Sequence, residues 1–154
     1  MSDGAIRIAL LGSTGSIGRS TLEVIRRHPQ RFEVVAMSAN RKVDALAEQV
    51  REFRPAHVAV ADTSVELPVD GGDWHRGPEA VADLARLDDV DVVVNAVIGA
   101  AGLVPTLAAQ DEGKRVALAN KESLVAGGDL VLAAAALPGG EVVPIDSEHS
   151  AILQ

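Results

Sequence analysis

The sequence predicts a doubly wound α/β domain built on a mostly parallel sheet, and two observations carry that prediction. Short apolar bursts rich in β-branched residues alternate with longer amphipathic segments along the 154 residues, the pattern of repeated strand–helix units. The first burst, Ile6–Leu11, is almost continuously apolar. That suits a parallel strand covered on both faces better than an antiparallel strand with one wet face.

Each element follows from local chemistry. After the first strand, residues 16–28 read as a helix: Ile17, Leu22, Val24 and Ile25 form its apolar side. Arg26, Arg27 and His28 favour its carboxyl end, and Pro29 stops it. Residues 32–38 are the second strand, Val43–Phe53 a helix ending before Pro55, and His57–Val60 a short third strand. Residues 61–78 carry Pro68, Gly71, Gly72, Gly77 and Pro78; they are the least regular part, with room for one short strand near Trp74. Residues 79–87 read as a helix, 90–95 as a buried strand, and 103–112 as a helix closed by Gly113. Arg115–Leu118 is a strand, 123–136 a helix ended by Pro138-Gly139-Gly140, and 141–145 the last strand. No internal repeat or low-complexity tract interrupts the series.

Composition narrows the function. The 14 Lys and Arg against 22 Asp and Glu give a net charge of −8, which disfavours nucleic-acid backbones and anionic membrane surfaces. Aromatics at 2% leave no stacking platform for single-stranded nucleic acid. With zero Cys there is no disulfide, zinc–thiolate site or thiol nucleophile. The amino terminus has an acidic residue where a signal peptide carries positive charge, and no apolar run approaches the roughly 18 residues of a membrane span. The expectation is a soluble, cytoplasmic, small-molecule protein without nucleic-acid or membrane partners.

Between the first strand and first helix lies Gly12-Ser13-Thr14-Gly15-Ser16-Ile17-Gly18. In this strand–turn–helix setting Gly12 permits the tight turn, Gly15 lets backbone approach a pyrophosphate, and Gly18 lets the helix pack on the sheet. The amides of Gly15, Ser16 and Ile17 would then face an anion at the positive end of the helix. A tight turn that binds nothing is the alternative, and the position after a buried first strand favours the dinucleotide. The second strand ends Ser38-Ala39-Asn40-Arg41-Lys42, lacking the acid that holds the ribose hydroxyls of NAD. Arg41 and Lys42 suit a ribose 2′-phosphate, so NADP(H) is favoured over a merely solvated basic loop.

Three later segments carry further chemistry. Asn95-Ala96-Val97-Ile98-Gly99-Ala100-Ala101-Gly102 follows a buried strand with small residues, fitting either a nicotinamide close to the backbone or a plain turn. Asn120-Lys121-Glu122-Ser123 crowds polar groups at the end of a strand; capping explains Asn120 and Ser123, whereas Lys121 suits an oxyanion or hydroxyl of a phosphorylated substrate. In Asp146-Ser147-Glu148-His149, an extended chain puts Asp146 and Glu148 on one side, as hard oxygen donors for Mg²⁺ or Mn²⁺. A solvated helix start fits the same spacing, and His149 is either a ligand-orienting group or surface.

GSTGSIG, AVIGAAGLVPTLAA, LANKESLVAGG and PIDSEHSAILQ, in that order and spacing, resemble the 1-deoxy-D-xylulose 5-phosphate reductoisomerase family from residue 6 to residue 154. The resemblance implies an NADPH-binding domain over residues 1–145 and the start of a catalytic domain over 146–154. It assigns Thr14, Gly15, Ser16, Ile17, Asn120 and Glu122 to NADPH, Lys121, Ser147 and Glu148 to substrate, and Asp146 and Glu148 to the divalent metal, with Lys121 and Glu148 catalytic. One departure is Asn40-Arg41-Lys42, where the family often shows a Gly-Lys-Asn type of loop; the basic character is kept, so these three are assigned to the 2′-phosphate region. The implied reaction is isomerisation of a ketose phosphate, then NADPH-dependent reduction to 2-C-methyl-D-erythritol 4-phosphate for isoprenoid synthesis. The family's remaining catalytic and helical domains imply that this chain is the cofactor-binding part, inactive alone, with homodimerisation expected of the full-length enzyme rather than of this piece. Another NADP-dependent reductase, such as a semialdehyde or homoserine dehydrogenase, would leave residues 120–122 and 146–148 unexplained. A stand-alone nucleotide sensor would not need metal-type carboxylates.

Overall fold

A computed structural model describes residues 4–68, 72–119 and 141–145. The elements run β1 (Ile6–Leu11), α1 (Ser16–Arg27), β2 (Phe32–Ala39), α2 (Val43–Phe53), β3 (His57–Val60), β4 (Trp74–Arg76), α3 (Pro78–Leu84) and β5 (Val92–Asn95). A 3-10 turn (Ala100–Gly102), α4 (Leu103–Asp111), β6 (Arg115–Leu118) and β7 (Glu141–Pro144) complete the described order. The described strands form one sheet in the order β4-β3-β2-β1-β5-β6-β7, with every pairing parallel. The chain winds outward from β1 to β4, then restarts on the other side of β1 with β5. The switch point between β1 and β5 is where such sheets open a ligand crevice at their carboxyl ends.

Strand alternation sorts the apolar residues into two cores. Ile8, Leu10, Met37 and Val58 pack with Leu22 and Ile25 of α1 and Leu46 of α2. Ala9, Leu11, Val93 and Val116 pack with Val81 and Leu84 of α3 and Ala108 of α4. Leu10 and Leu11 are both fully buried, one in each core, each contributing about 1.5–3 kcal/mol. A bulge adjusts the register: Ile8 faces Val34 but Ala9 faces Ala36, so Val35 is extra, and Val35 and Ala36 join the same core.

The prediction needs correction at several boundaries. In α1 the buried stripe is Gly18, Leu22 and Ile25, spaced four and three apart. Val24 lies about 100° round the helix from Ile25 and is exposed, as is Ile17. Helix α1 ends at Arg27, with His28 as the cap donating its N–H to the Ile25 carbonyl. Helix α3 starts at Pro78 and ends at Leu84, short of residue 87. There the Ala85 and Arg86 amides turn back to the Ala82 and Asp83 carbonyls, and the Lys114 ammonium donates to the Leu87 and Val90 carbonyls. Strand β5 begins at Val92 rather than residue 90 because Val90 closes a turn onto Leu87 and the Asp91 amide bonds the Arg7 carbonyl. The short strand expected near Trp74 is β4. The predicted helix over 123–136 lies outside the described residues. Among the described residues no helix is long and apolar enough to cross a membrane.

Candidate functional site

The carboxyl ends of β1, β2, β3 and β5 surround a cavity of about 490 Å³, within the size range of small-molecule sites. Its wall includes Thr14 and Gly15 from the first loop, Asn40, Arg41 and Lys42 from the end of β2, and Val97 and Ile98 beyond β5. Five residues predicted from sequence are therefore brought to one space. Ser16 and Ile17 begin α1 beside it and are exposed.

The three glycines of the loop have different reasons. At Gly12 (φ +79) a Cβ would sit 2.6 Å from the Ala96 carbonyl oxygen, and at Gly18 it would lie 2.3 Å from the Gly12 oxygen and 2.6 Å from the Ser13 Cα. Packing therefore demands both. At Gly15 the nearest atom is the Gly12 oxygen at 3.7 Å, an ordinary contact, so the protein itself does not require glycine there. Gly15 is also the N-cap of α1, and no side chain caps the helix. Its first-turn amides are thus left for solvent or an anion.

The loop is fixed from two sides. The Gly12 and Ser13 amides donate to the Ser38 carbonyl at 3.0 and 2.8 Å. Ser13, fully buried, donates its hydroxyl to Gln49 Oε1 at 2.6 Å, while Gln49 Nε2 donates to the Ser13 carbonyl at 2.9 Å. Sequence reasoning missed Ser38 and Gln49; the available signal was a polar residue three positions beyond buried Leu46 on α2.

At the basic end, Arg41 Nε lies 3.4 Å from Asp62 Oδ2. Asp62 follows β3, and its Oδ1 accepts from the Ser64 hydroxyl at 2.6 Å and the Ser64 amide at 2.8 Å. Those bonds first, and the Arg41 charge after them, hold its carboxyl below the usual range. The acid missing from the end of β2 thus arrives from the neighbouring strand, already engaged. Among the described residues Lys42 makes no ion pair.

Asn120, Lys121, Glu122, Asp146, Ser147 and Glu148 lie outside the described residues. Leu118 and Pro144 face each other as the last residues of β6 and β7. Beyond them, the Ile145 amide bonds the Leu118 carbonyl and the Ala119 amide bonds the Asn95 carbonyl. The carboxyl ends of β6 and β7 therefore lie on the same side of the sheet as the cavity. Among the described residues no group of three His, Asp or Glu side chains can hold a metal ion.

A doubly wound parallel sheet, a cavity at its switch point and an uncapped helix amino terminus define a Rossmann-type domain whose crevice suits a phosphate-bearing ligand. A family model described as 1-deoxy-D-xylulose 5-phosphate reductoisomerase matches residues 8–128, and the chain belongs to that family. It is 52% identical over 157 residues to the 1-deoxy-D-xylulose 5-phosphate reductoisomerase of Ralstonia nicotianae, covering 97% of this chain and 40% of that protein. The Zymomonas mobilis reductoisomerase solved in complex with NADPH matches with a TM-score of 0.90 at 40% identity, over 97% of this chain and 41% of that one. A DOX-P reductoisomerase solved with NADPH, fosmidomycin and magnesium matches with a TM-score of 0.86 at 42% identity, over 96% of this chain and 38% of that one. The chain spans about two fifths of the length of these relatives.

Proposed function

We propose that residues 1–145 are the NADPH-binding domain, and residues 146–154 the start of the catalytic domain, of an enzyme that isomerises and reduces 1-deoxy-D-xylulose 5-phosphate. The observation that carries the reading is the single cavity joining the glycine loop to Asn40, Arg41 and Lys42. The residues present fit the cofactor: Gly15 leaves open the space a Cβ would fill, and the α1 amides and two cations provide for its phosphates. Thr14, Gly15, Ser16 and Ile17 would hold the pyrophosphate, and Asn40, Arg41 and Lys42 the adenosine 2′-phosphate. Asn120 and Glu122 would reach the cofactor from the end of β6.

The same reading gives Lys121, Ser147 and Glu148 to the sugar phosphate and Asp146 with Glu148 to Mg²⁺ or Mn²⁺. Two carboxylates are a hard-oxygen donor set suited to either ion. NADPH supplies hydride, and the divalent cation supplies Lewis-acid stabilisation of charge on the substrate oxygens. This chain's residues bind and orient; Lys121 holds a substrate oxyanion or hydroxyl. Full-length homodimerisation and a cytoplasmic location complete the proposal.

The test is a titration of this chain with NADPH and NADH, followed by nicotinamide fluorescence. NADPH should bind at least tenfold more tightly, the expected worth of about 1.4 kcal/mol from charge-assisted contacts; equal affinity would remove the assignment of Arg41 and Lys42. In a chain of the relatives' full length, NADPH oxidation should require 1-deoxy-D-xylulose 5-phosphate and Mn²⁺ or Mg²⁺ together.

A further inference from the structure

The wall of the cavity beyond β5 rests on a buried polar lock. Asn95, the last residue of β5, is fully buried, as is Thr106 in α4. Asn95 Nδ2 donates to the Gly102 carbonyl and to Thr106 Oγ1, both at 2.8 Å. The Thr106 hydroxyl donates onward to the same Gly102 carbonyl at 2.9 Å, and Asn95 Oδ1 accepts from the Val97 amide at 3.2 Å. The amide side chain thus has both N–H donors and its acceptor engaged. It ties the first turn of α4 to both ends of the intervening loop.

That loop carries Ala96, Val97, Ile98 and Ala101 into the cavity wall. Its Ala96 carbonyl is the atom closest to where a Gly12 Cβ would stand, while the glycine loop itself is held separately, by Ser38 and Gln49. Above it Ile98 is 85% exposed, an unusual position for a large apolar side chain at the mouth of a cavity. The basic pair stands on the β2 side of the switch point and the glycine loop stands at it. An extended dinucleotide anchored at those two places has its other half over β5.

We propose that Asn95 and Thr106 are positioning residues that hold the Val97–Ile98 segment as the apolar support for the nicotinamide half of the cofactor. This rests on the NADPH reading above. Neither residue lines the cavity, so each acts through the loop. The adenosine half, on the far side of the switch point, is independent of the lock.

Two probes separate the halves: NADPH itself, and 2′,5′-ADP, which carries only the adenosine, the 2′-phosphate and one further phosphate. In Thr106→Val the shape is kept and the hydroxyl lost. NADPH affinity should fall about tenfold, 2′,5′-ADP affinity should stay within about twofold, and Thr106→Ser should restore NADPH binding. Asn95→Ser tests the other partner, with thermal unfolding measured alongside to confirm a folded chain. Unchanged NADPH affinity in folded Thr106→Val, or equal losses for both probes, would overturn the proposal. A wild-type chain that binds neither probe would overturn the NADPH reading itself, a failure visible before any variant is made.

Discussion

Arg41 Nε and Asp62 Oδ2 lie 3.4 Å apart across the ends of β2 and β3, joining the cation assigned to the 2′-phosphate to the nearest strand-end acid. A second phosphate would compete with that carboxylate for the guanidinium. Asp62→Asn removes the competitor and raises the local charge, so NADPH affinity should rise about threefold at low salt. Arg41→Ala and Lys42→Ala should each lower it about tenfold and leave NADH unchanged. Titrations at two salt concentrations check both. Weaker NADPH binding in Asp62→Asn would mean that the acid serves to aim the guanidinium.

Two glycines of the motif, Gly15 at the N-cap of α1 and Gly18 within its first turn, should respond differently. Gly18→Ala pushes a methyl to within 2.3 Å of backbone and should destabilise by about 1–3 kcal/mol. Gly15→Ala meets nothing closer than 3.7 Å and has an ordinary φ of −77°, so its melting temperature should barely move while NADPH affinity falls. Melting curves and titrations on the two variants decide it; a large loss of stability in Gly15→Ala would contradict the packing account.

Acid stability should show the Arg7–Asp91 pair. Arg7 Nε and Nη2 donate to the two Asp91 oxygens at 3.1 and 2.9 Å, and the Arg7 amide adds a third bond at 2.8 Å. The Arg7 hydrogen bonds, outweighing partial desolvation, hold the Asp91 carboxyl below its ordinary value of 3.8. A carboxyl depressed on folding stabilises above its unfolded value, and that contribution disappears as pH falls through the folded one. Both partners are about two fifths exposed, so Asp91→Asn should cost about 1 kcal/mol or less at neutral pH, about 2–4 °C in melting temperature. The wild-type advantage should be full well above the ordinary carboxyl value of 3.8 and shrink as pH falls below it; a constant difference across pH would exclude the ionic account.

The metal proposal is checked in a chain of the relatives' full length. Asp146→Asn should reduce metal-dependent NADPH oxidation by about a hundredfold or more, the loss of even an outer-shell partner reaching that scale. NADPH affinity should be unaffected. Undiminished activity would remove Asp146 from the ligand set.

The parallel sheet was legible because apolar runs such as Ile6–Leu11 and Val92–Val94 are strong local signals, and the glycine loop because its chemistry is contiguous. What escaped prediction is long-range pairing. Asp62 is separated from Arg41 by 21 positions and meets it only because β3 adds beside β2; Gln49 reaches Ser13 only because α2 and α1 share a face. Helix ends at Leu84 and strand starts at Val92 depend on Lys114 and Arg7, which no local pattern reveals. Val24 was misplaced because an apolar residue at the edge of a helical stripe is ambiguous until the buried neighbours fix the phase.

The anchoring of Gly12 and Ser13 to Ser38 and Gln49 has a kinetic consequence. A loop already tied down on both sides has little conformational freedom left to lose when a phosphate arrives. Association should therefore be a single phase whose rate rises linearly with nucleotide concentration, without the plateau that a slow rearrangement of the loop would impose.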